Sequence, residues 1–284
     1  MTGNGASIGT RLYPVLGDPI GQVRTPTLIN PVFARHGIDI VSFPLHVPAA
    51  RFASAWNLLR VTENVAGIAT TVPHKISAAR RCDTLSGEAA LVGAVNTARR
   101  EADGTMHGAL FDGIGFVHGL GEAREMLGGA RVILVGAGGA GRAIAHALCG
   151  MGIARLEIVD VNRQAAEATA TMVDRVVGPG VAQVSAAQRG DFDMLINASP
   201  IGLKPGEAFP LSLTGLAPGM HVADIASFGE GTPLLAAARN AGCSVSDGND
   251  MLHAQLGLVA GFIAGLPAGV SIDAVPEKNS FATL

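Results

Sequence analysis

Two short stretches carry residue types that could do chemistry. In Ala-Thr-Thr-Val-Pro-His-Lys (69–75), a β-rich run ends at Pro73, and Lys75 follows two residues later. Proline sits well at the first position of a helix, because its missing N–H would have no intrahelical partner there. Lys75 then falls in the first helical turn, where the partial positive charge of the helix end mildly disfavours a cation. Such a lysine is either a solvated surface group, as most are, or an amine placed to exchange a proton with a bound molecule. The second stretch is Val-Ile-Leu-Val-Gly-Ala-Gly-Gly-Ala-Gly-Arg-Ala-Ile-Ala (132–145). It sets Gly136, Gly138 and Gly141 as G-x-G-x-x-G directly after a strand-like run and at the start of a helical one. The first glycine permits the tight turn and the second a close approach of backbone to a pyrophosphate. The third lets helix and strand pack, and the helix N-terminus faces the anion. A following strand ends in an acid, Asp160, nineteen residues after Gly141 (160 − 141 = 19). That is close to the ~20 residues at which a carboxylate meets the ribose.

Asp160 bears on the choice of cofactor. A carboxylate there accepts hydrogen bonds from the ribose hydroxyls of NAD and repels a 2′-phosphate. Arg163, three residues on, could bind that phosphate but is expected on the solvent face of the next helix. NAD is favoured and NADP stays open.

The elements that must position these groups alternate along the chain. Strands are expected at 11–17, 40–47 and 65–72, and helices at 26–37, 48–60 and 74–91. In the helix over 48–60, Phe52, Trp56 and Leu59 share one face. Ala-Val-Asn-Thr-Ala-Arg-Arg, the turn Ala-Asp-Gly-Thr and Met-His-Gly-Ala-Leu read as a hairpin. A second series starts at 131 with the glycine loop, and a last long helix starts near Asn249. Alternation of this kind implies a mostly parallel sheet with both faces covered. The seam falls near 112–129.

Bulk properties exclude some classes. The 284 residues suffice for two ordinary domains. A net charge of −3 with a pI near 6.2 gives no electrostatic footprint for nucleic acid or an anionic membrane surface. The longest apolar run, 256–270, is too short to span a bilayer and contains Pro267. Cys82, Cys149 and Cys243 make no paired metal or redox spacing and read as small hydrophobes in a reducing compartment. The first ten residues lack the basic and apolar regions of a signal peptide. A soluble, cytoplasmic protein is expected, with no metal.

Several blocks resemble, in order, the shikimate and quinate dehydrogenases: Gly-Asp-Pro-Ile-Gly-Gln-Val-Arg-Thr-Pro (17–26), Thr-Val-Pro-His-Lys (71–75), Gly-Ala-Val-Asn-Thr (93–97), Asp-Gly-Ile-Gly (112–115), the glycine loop, Asn-Ala-Ser-Pro-Ile-Gly (197–202) and Asp-Gly-Asn-Asp-Met-Leu-His-Ala-Gln (247–255). The resemblance covers nearly the whole chain. It implies an α/β protein with an N-terminal substrate domain, 1–111, and a Rossmann-type doubly wound NAD(P)-binding domain, 112–248. A helical segment, 249–284, would pack back on the first, with the active site in the cleft between the domains. By position, Lys75 matches the family's catalytic lysine and Asp112 its partner aspartate. Thr25, Thr71, Asn96 and Gln255 match substrate-binding positions, and an amide can both donate to and accept from a ring hydroxyl. Gly136, Gly138, Gly139, Ala140, Gly141, Asp160 and Asn197 match cofactor positions. The implied partners are NAD, or NADP, and a small hydroxy acid, bound by a monomer or homodimer.

The departures from the family pattern lie in the pocket. Val23 stands where one of two hydroxyl residues usually holds the substrate carboxylate. Ala69 replaces an asparagine, Phe111 adds an aromatic before Asp112, and Ser227 replaces a tyrosine. A site built for polar groups loses heavily when its partners vanish. Either shikimate is a poor substrate, or the substrate is a less polar or differently shaped relative. A nucleotide-binding protein acting as a sensor is the reading from another class, opposed by the retained Lys75 and Asp112.

Overall fold

A computed structural model describes residues 7–185, 191–202, 209, 211–226 and 231–274; Ser227 lies outside the described residues. The chain divides into two compact units. One holds the part up to Phe111 together with the part from Gln255 onward, and the other is Asp112–Ala254.

In the first unit β1 (Arg11–Gly17) is followed by α1 (Thr25–Arg35), β2 (Ile40–His46) and α2 (Phe52–Val61). Then come β3 (Gly67–Thr70), α3 (Lys75–Ala79), β4 (Thr84–Leu85), α4 (Gly87–Val92) and the hairpin β5 (Thr97–Arg100) and β6 (Met106–Ala109). The sheet order is β2-β1-β3-β5-β6-β4. β1 runs parallel to β2 and β3, and β5 is antiparallel to β3 and β6. α1 buries Ile29, Val32 and Phe33, a 3–4 spacing that lays one stripe on the sheet. α2 buries Phe52 and Trp56 in the same way.

The single helix expected over 74–91 is instead two short helices with a strand between them. The Asp83 N–H donates to the Met106 carbonyl, and its carboxylate accepts from the Met106 N–H. These bonds draw Thr84–Leu85 onto the edge of β6. Ser86 then accepts from the Ala89 N–H and caps α4, which ends at Gly93 with φ +72°. Edge pairing outcompetes helix continuation there.

The second unit contains α5 (Asp112–Gly119), β7 (Arg131–Val135), α6 (Gly139–Cys149), β8 (Arg155–Val159), α7 (Arg163–Val177), β9 (Ala182–Val184) and β10 (Met194–Asn197). It continues with β11 (His221–Asp224), α8 (Pro233–Asn240), β12 (Ser244–Asp247) and the start of α9 (Gly248–Ile263). The strands are all parallel, in the order β12-β11-β10-β7-β8-β9. This is the doubly wound order, and it reverses between β7 and β10. Ile133, Val135, Leu195, Val222 and Leu235 form part of its core. Asn162 caps α7 through the Ala165 N–H, and Thr232 caps α8 with Pro233 following it. Among the described residues no helix is long and apolar enough to cross a membrane.

The lower edge of this sheet holds a histidine that must stay neutral. His221, 2% exposed, sets Nδ1 2.9 Å from Ser244 Oγ and Nε2 3.0 Å from Ser246 Oγ. Burial pushes its pKa down to about 4, against a weaker opposing pull from Asp250. In the unfolded chain a histidine takes a proton below its ordinary value near 6.5. The stability held by neutral His221 is therefore complete above that value and is lost as pH falls toward about 4. The loss between pH 7 and 4.5 should be about 2–3 kcal/mol larger for the native protein than for His221→Gln. Urea unfolding of both at the two pH values measures the difference; equal losses would sink the assignment.

Candidate active site

The second unit builds an anion-binding turn at the reversal of strand order. β7 leaves the sheet at Gly136, whose φ of +101° favours glycine. A Cβ there would also lie 2.7 Å from the Ala198 carbonyl carbon. A Cβ on Gly141 would overlap the Gly136 carbonyl oxygen, so α6 can begin where it does only with glycine at that position. Gly138 differs, since a Cβ there would meet nothing within 4 Å. The space before it is open, as a backbone that must approach a ligand requires. Gly139 and Ala140 open α6, and their N–H groups have no carbonyl one turn earlier to bond. Asp160 joins this turn at the end of β8. Its Oδ2 accepts from the Ala137 N–H at 2.6 Å and its Oδ1 from the Asn162 N–H at 2.7 Å. Each oxygen keeps a lone pair for a further donor. Arg163 pairs with Glu167 at 2.7 Å and is 82% exposed, so it lies on the solvent face, as expected. The cradle and the carboxylate fit a dinucleotide.

Asn197 is a correction. Its side chain, expected at the cofactor, is fully buried and fully used. Nδ2 donates to the Ile201 carbonyl and to Asp224 Oδ1, both at 2.9 Å, while Oδ1 accepts from the Ser199 N–H and hydroxyl. No hydrogen-bonding capacity is left for a nucleotide. Asn197 instead shapes the turn that lies against Gly136. Asp224, also buried, takes two more donors, Thr232 Oγ1 at 2.5 Å and the Ala226 N–H at 3.1 Å. Burial raises its pKa above the usual carboxylate range, against the pull of those hydrogen bonds. Neither Asp224 nor Thr232 was legible as part of this framework, because an acid at a strand end and a helix cap are both common.

In the first unit the candidate substrate groups gather at one end of the sheet. The Thr71 N–H donates to the Leu16 carbonyl, which places it beside the end of β1. Lys75 is the first residue of α3; Pro73, expected at the first helical position, lies in the turn before the His74 cap, and the Lys75 carbonyl accepts from the Val95 N–H at 3.0 Å. Asn96 enters β5 at the same end; its carbonyl accepts from the Thr70 N–H and its N–H donates to the Ala109 carbonyl. Asn96 Nδ2 donates to Gln255 Oε1 at 3.1 Å, so the two amides meet 159 residues apart in the chain. Thr25 is the first residue of α1, after the loop that leaves β1. Val23 lies partly buried in that loop, its N–H on the Ile20 carbonyl.

His74, unremarked in the sequence, anchors the lysine's helix. Its ring is 2% exposed, stacks on Phe52 at 4.4 Å, and donates from Nε2 to the Val47 carbonyl at 2.7 Å. Burial holds its pKa below the ordinary imidazole value. Phe111 turns into the core instead of toward a ligand. It is 2% exposed and meets Phe262 edge-on at 5.6 Å. Asp112 is the first residue of α5, in the second unit, and is 3% exposed. Among the described residues no group of three or more His, Cys, Asp or Glu is placed to hold a metal ion. Cys149 and Cys243 are buried, and burial pushes the half-buried Cys82 thiol up to about 12.

A doubly wound unit with a pyrophosphate-binding turn, joined to an α/β unit that gathers a lysine, amides and hydroxyls, defines a dinucleotide-dependent oxidoreductase. Residues 15–98 match the family model of the shikimate dehydrogenase substrate binding domain. The chain is 37% identical over 251 residues to the shikimate dehydrogenase (NADP(+)) of Rhodospirillum rubrum, covering 86% of this chain and 88% of that protein. Two solved structures are similar. The 5-ketofructose reductase of Gluconobacter sp. strain CHM43 has a TM-score of 0.77 at 29% identity, over 92% of this chain and 95% of that one. The quinate dehydrogenase of Corynebacterium glutamicum, in complex with NAD, has a TM-score of 0.79 at 28% identity, over 90% and 94%. The chain belongs to the shikimate dehydrogenase family.

Asp160 and the Arg163–Glu167 pair together predict NAD over NADP. Asp160→Ala should lower kcat/KM with NAD by about ten- to hundredfold, the worth of one hydrogen bond to a charged group. The value with NADP should fall less. Steady-state kinetics with both cofactors checks this, and a native preference for NADP would give the 2′-phosphate to a cation other than Arg163.

Proposed function

We propose that the protein is an NAD(P)-dependent dehydrogenase that interconverts a hydroxyl and a ketone on shikimate, quinate or a related cyclic hydroxy acid. The observation that carries this reading is the pairing, in one chain of this family, of the Gly136–Gly141 turn and Asp160 with a sheet end that gathers Thr71, Lys75, Asn96 and Gln255. We take the unit up to Phe111 as the substrate-binding part and the unit from Asp112 as the cofactor-binding part. The protein would act in the cytoplasm, as a monomer or homodimer.

Each residue then has a chemical task. The backbone of Gly136, Gly138, Gly139, Ala140 and Gly141 holds the pyrophosphate, and Asp160 accepts from the ribose hydroxyls. The nicotinamide, when bound, supplies or accepts the hydride. Lys75 gives a proton to the ketone oxygen in reduction and takes it from the hydroxyl in oxidation. Asp112 takes, by position, the role of the family's partner aspartate. Asn96 and Gln255 hold ring hydroxyls, each able to donate and accept. Thr25 and Thr71 supply further hydroxyls at the substrate.

Val23 favours a second choice of substrate within the same chemistry. An apolar side chain stands where the family usually offers a hydroxyl to the substrate carboxylate. A lost hydrogen bond to a charged group costs about 1.5–3 kcal/mol. Shikimate should then be used about ten- to hundredfold less efficiently for each such loss, and a relative lacking that carboxylate should suffer less. Support for this variant comes from the likeness to a 5-ketofructose reductase.

A panel of shikimate, quinate and related hydroxy compounds with NAD and NADP tests the reading. On whichever substrate is turned over, Lys75→Ala should lower kcat by about 10²–10⁴-fold, the usual worth of positioned proton transfer. Binding of NAD, followed by fluorescence titration, should be unchanged. Near-native turnover by this variant would remove Lys75 from the mechanism, and an inactive panel would favour a sensor role.

A further inference from the structure

Arg99, on β5, is three residues beyond Asn96 and touches none of the groups named above as substrate-binding. Four of its five guanidinium N–H donors are nonetheless engaged. Nη1 donates to the carbonyls of Phe262 and Leu266, both at 2.9 Å. Nε and Nη2 donate to Glu101 Oε1 at 2.9 and 2.7 Å. The plane lies 4.6 Å above the centre of the Phe262 ring. The two carbonyls belong to the last turn of α9 and the residues just after it, where carbonyl groups lack intrahelical donors and a cation is favoured.

We infer that Arg99 is a positioning residue for substrate binding: it clamps the end of α9 and so sets the register at which Gln255 meets Asn96. The inference rests on the reading of Asn96 and Gln255 as substrate-binding amides.

The geometry has the form of a two-rung ladder. Asn96 sits at the bend just before β5 and Arg99 lies within it, about 10 Å away, and both side chains reach α9. From Gln255 to Phe262 is seven residues of helix, also about 10 Å, and two full turns, so both face the same way. One rung is the Asn96–Gln255 bond. The other is Arg99 on the Phe262 carbonyl and ring. Beside the ladder, Gly67 on β3 leaves room for the tip of the Ile263 side chain, since a Cβ there would lie 2.7 Å from Ile263 Cδ1. Phe111 braces the ladder from the side: its ring meets that of Phe262, and its N–H donates to Asn96 Oδ1 at 3.2 Å. A helix is stiff along its axis, so slippage at Phe262 carries to Gln255. Without the clamp, Gln255 reaches the substrate at the wrong height.

The test compares Arg99→Met, Gln255→Ala and the double variant, on shikimate or quinate, whichever the native protein turns over faster. Arg99→Met should raise the substrate KM about tenfold, as for one lost charge-assisted contact, with the KM for the nicotinamide cofactor within about twofold. In the Gln255→Ala background the same change should add less than about twofold, because Arg99 acts through Gln255. Arg99→Lys keeps the charge but not the planar fork, so its KM should rise about threefold; it carries the test if Arg99→Met does not fold. A merely structural arginine would lower the melting temperature and leave the substrate KM alone. If Gln255→Ala raises KM and neither Arg99 variant does, or if their effects are equal in both backgrounds, the inference is overturned by itself. If Gln255→Ala leaves KM unchanged, the reading of the amides fails and the inference falls with it.

Discussion

Backbone in contact with backbone, made possible by a missing Cβ, is the constraint on which both units depend. In the second, Gly141 lets α6 start against the carbonyl of Gly136, and Gly136 lets the 198–199 segment close over β7. In the first, Gly67 on β3 lies against the Ala98 carbonyl of β5, and the tip of the Ile263 side chain of α9 rests over it, where a Cβ would strike both. Each approach brings a functional group to its place. At Gly141 the first N–H groups of α6 come up to the reversal of strand order. At Gly67 the helix that carries Gln255 comes down to Asn96. Restoring a Cβ at any of these points forces backbone to move, which a close-packed interior resists.

Close approach buries polar groups, and their satisfaction explains most of what surrounds the two sites. A buried amide or carboxylate left unpaired costs several times what a formed hydrogen bond returns. Asn197 and Asp224 meet this demand together, with the Thr232 and Ser199 hydroxyls and three backbone groups as the remaining partners. The result is a fixed loop at the mouth of the dinucleotide turn. Asn96 and Gln255 meet it by bonding to each other and to the Phe111 N–H. In the second case the pairing keeps two amides ordered where a ligand would need them. The same rule thus yields a loop framework in one unit and an ordered pair of amides in the other.

The departures from the family pattern sort by burial. Phe111, read from the sequence as an aromatic added in the pocket, is core, spending its ring on Phe262. Val23, by contrast, is only partly buried in its loop. Asp160 stands between the two, tied to the glycine turn by the Ala137 N–H yet open to solvent on one side.

What the sequence alone determined was local or repeated. Alternating apolar runs announced strands and helices, the order of the blocks announced the family, and Pro73 announced a helix close to Lys75, though not its first residue. The turn at Gly136–Gly141 was legible because it needs contiguous residues of special backbone freedom. Signals within about twenty residues suffice for such features, since the physics that produces them is short-range. Tertiary structure decided the rest. It broke the 74–91 helix, because the partner that drew Thr84–Leu85 into an edge strand is β6, more than twenty residues away in the chain. It removed Asn197 from the ligand set, because Asp224 and Ser199 consume its hydrogen bonds. It buried Phe111, and it gave Arg99 its task at the end of α9. Each of these outcomes turns on which distant group satisfies a buried polar atom or fills a gap in the core, and no spacing along the chain encodes that partner.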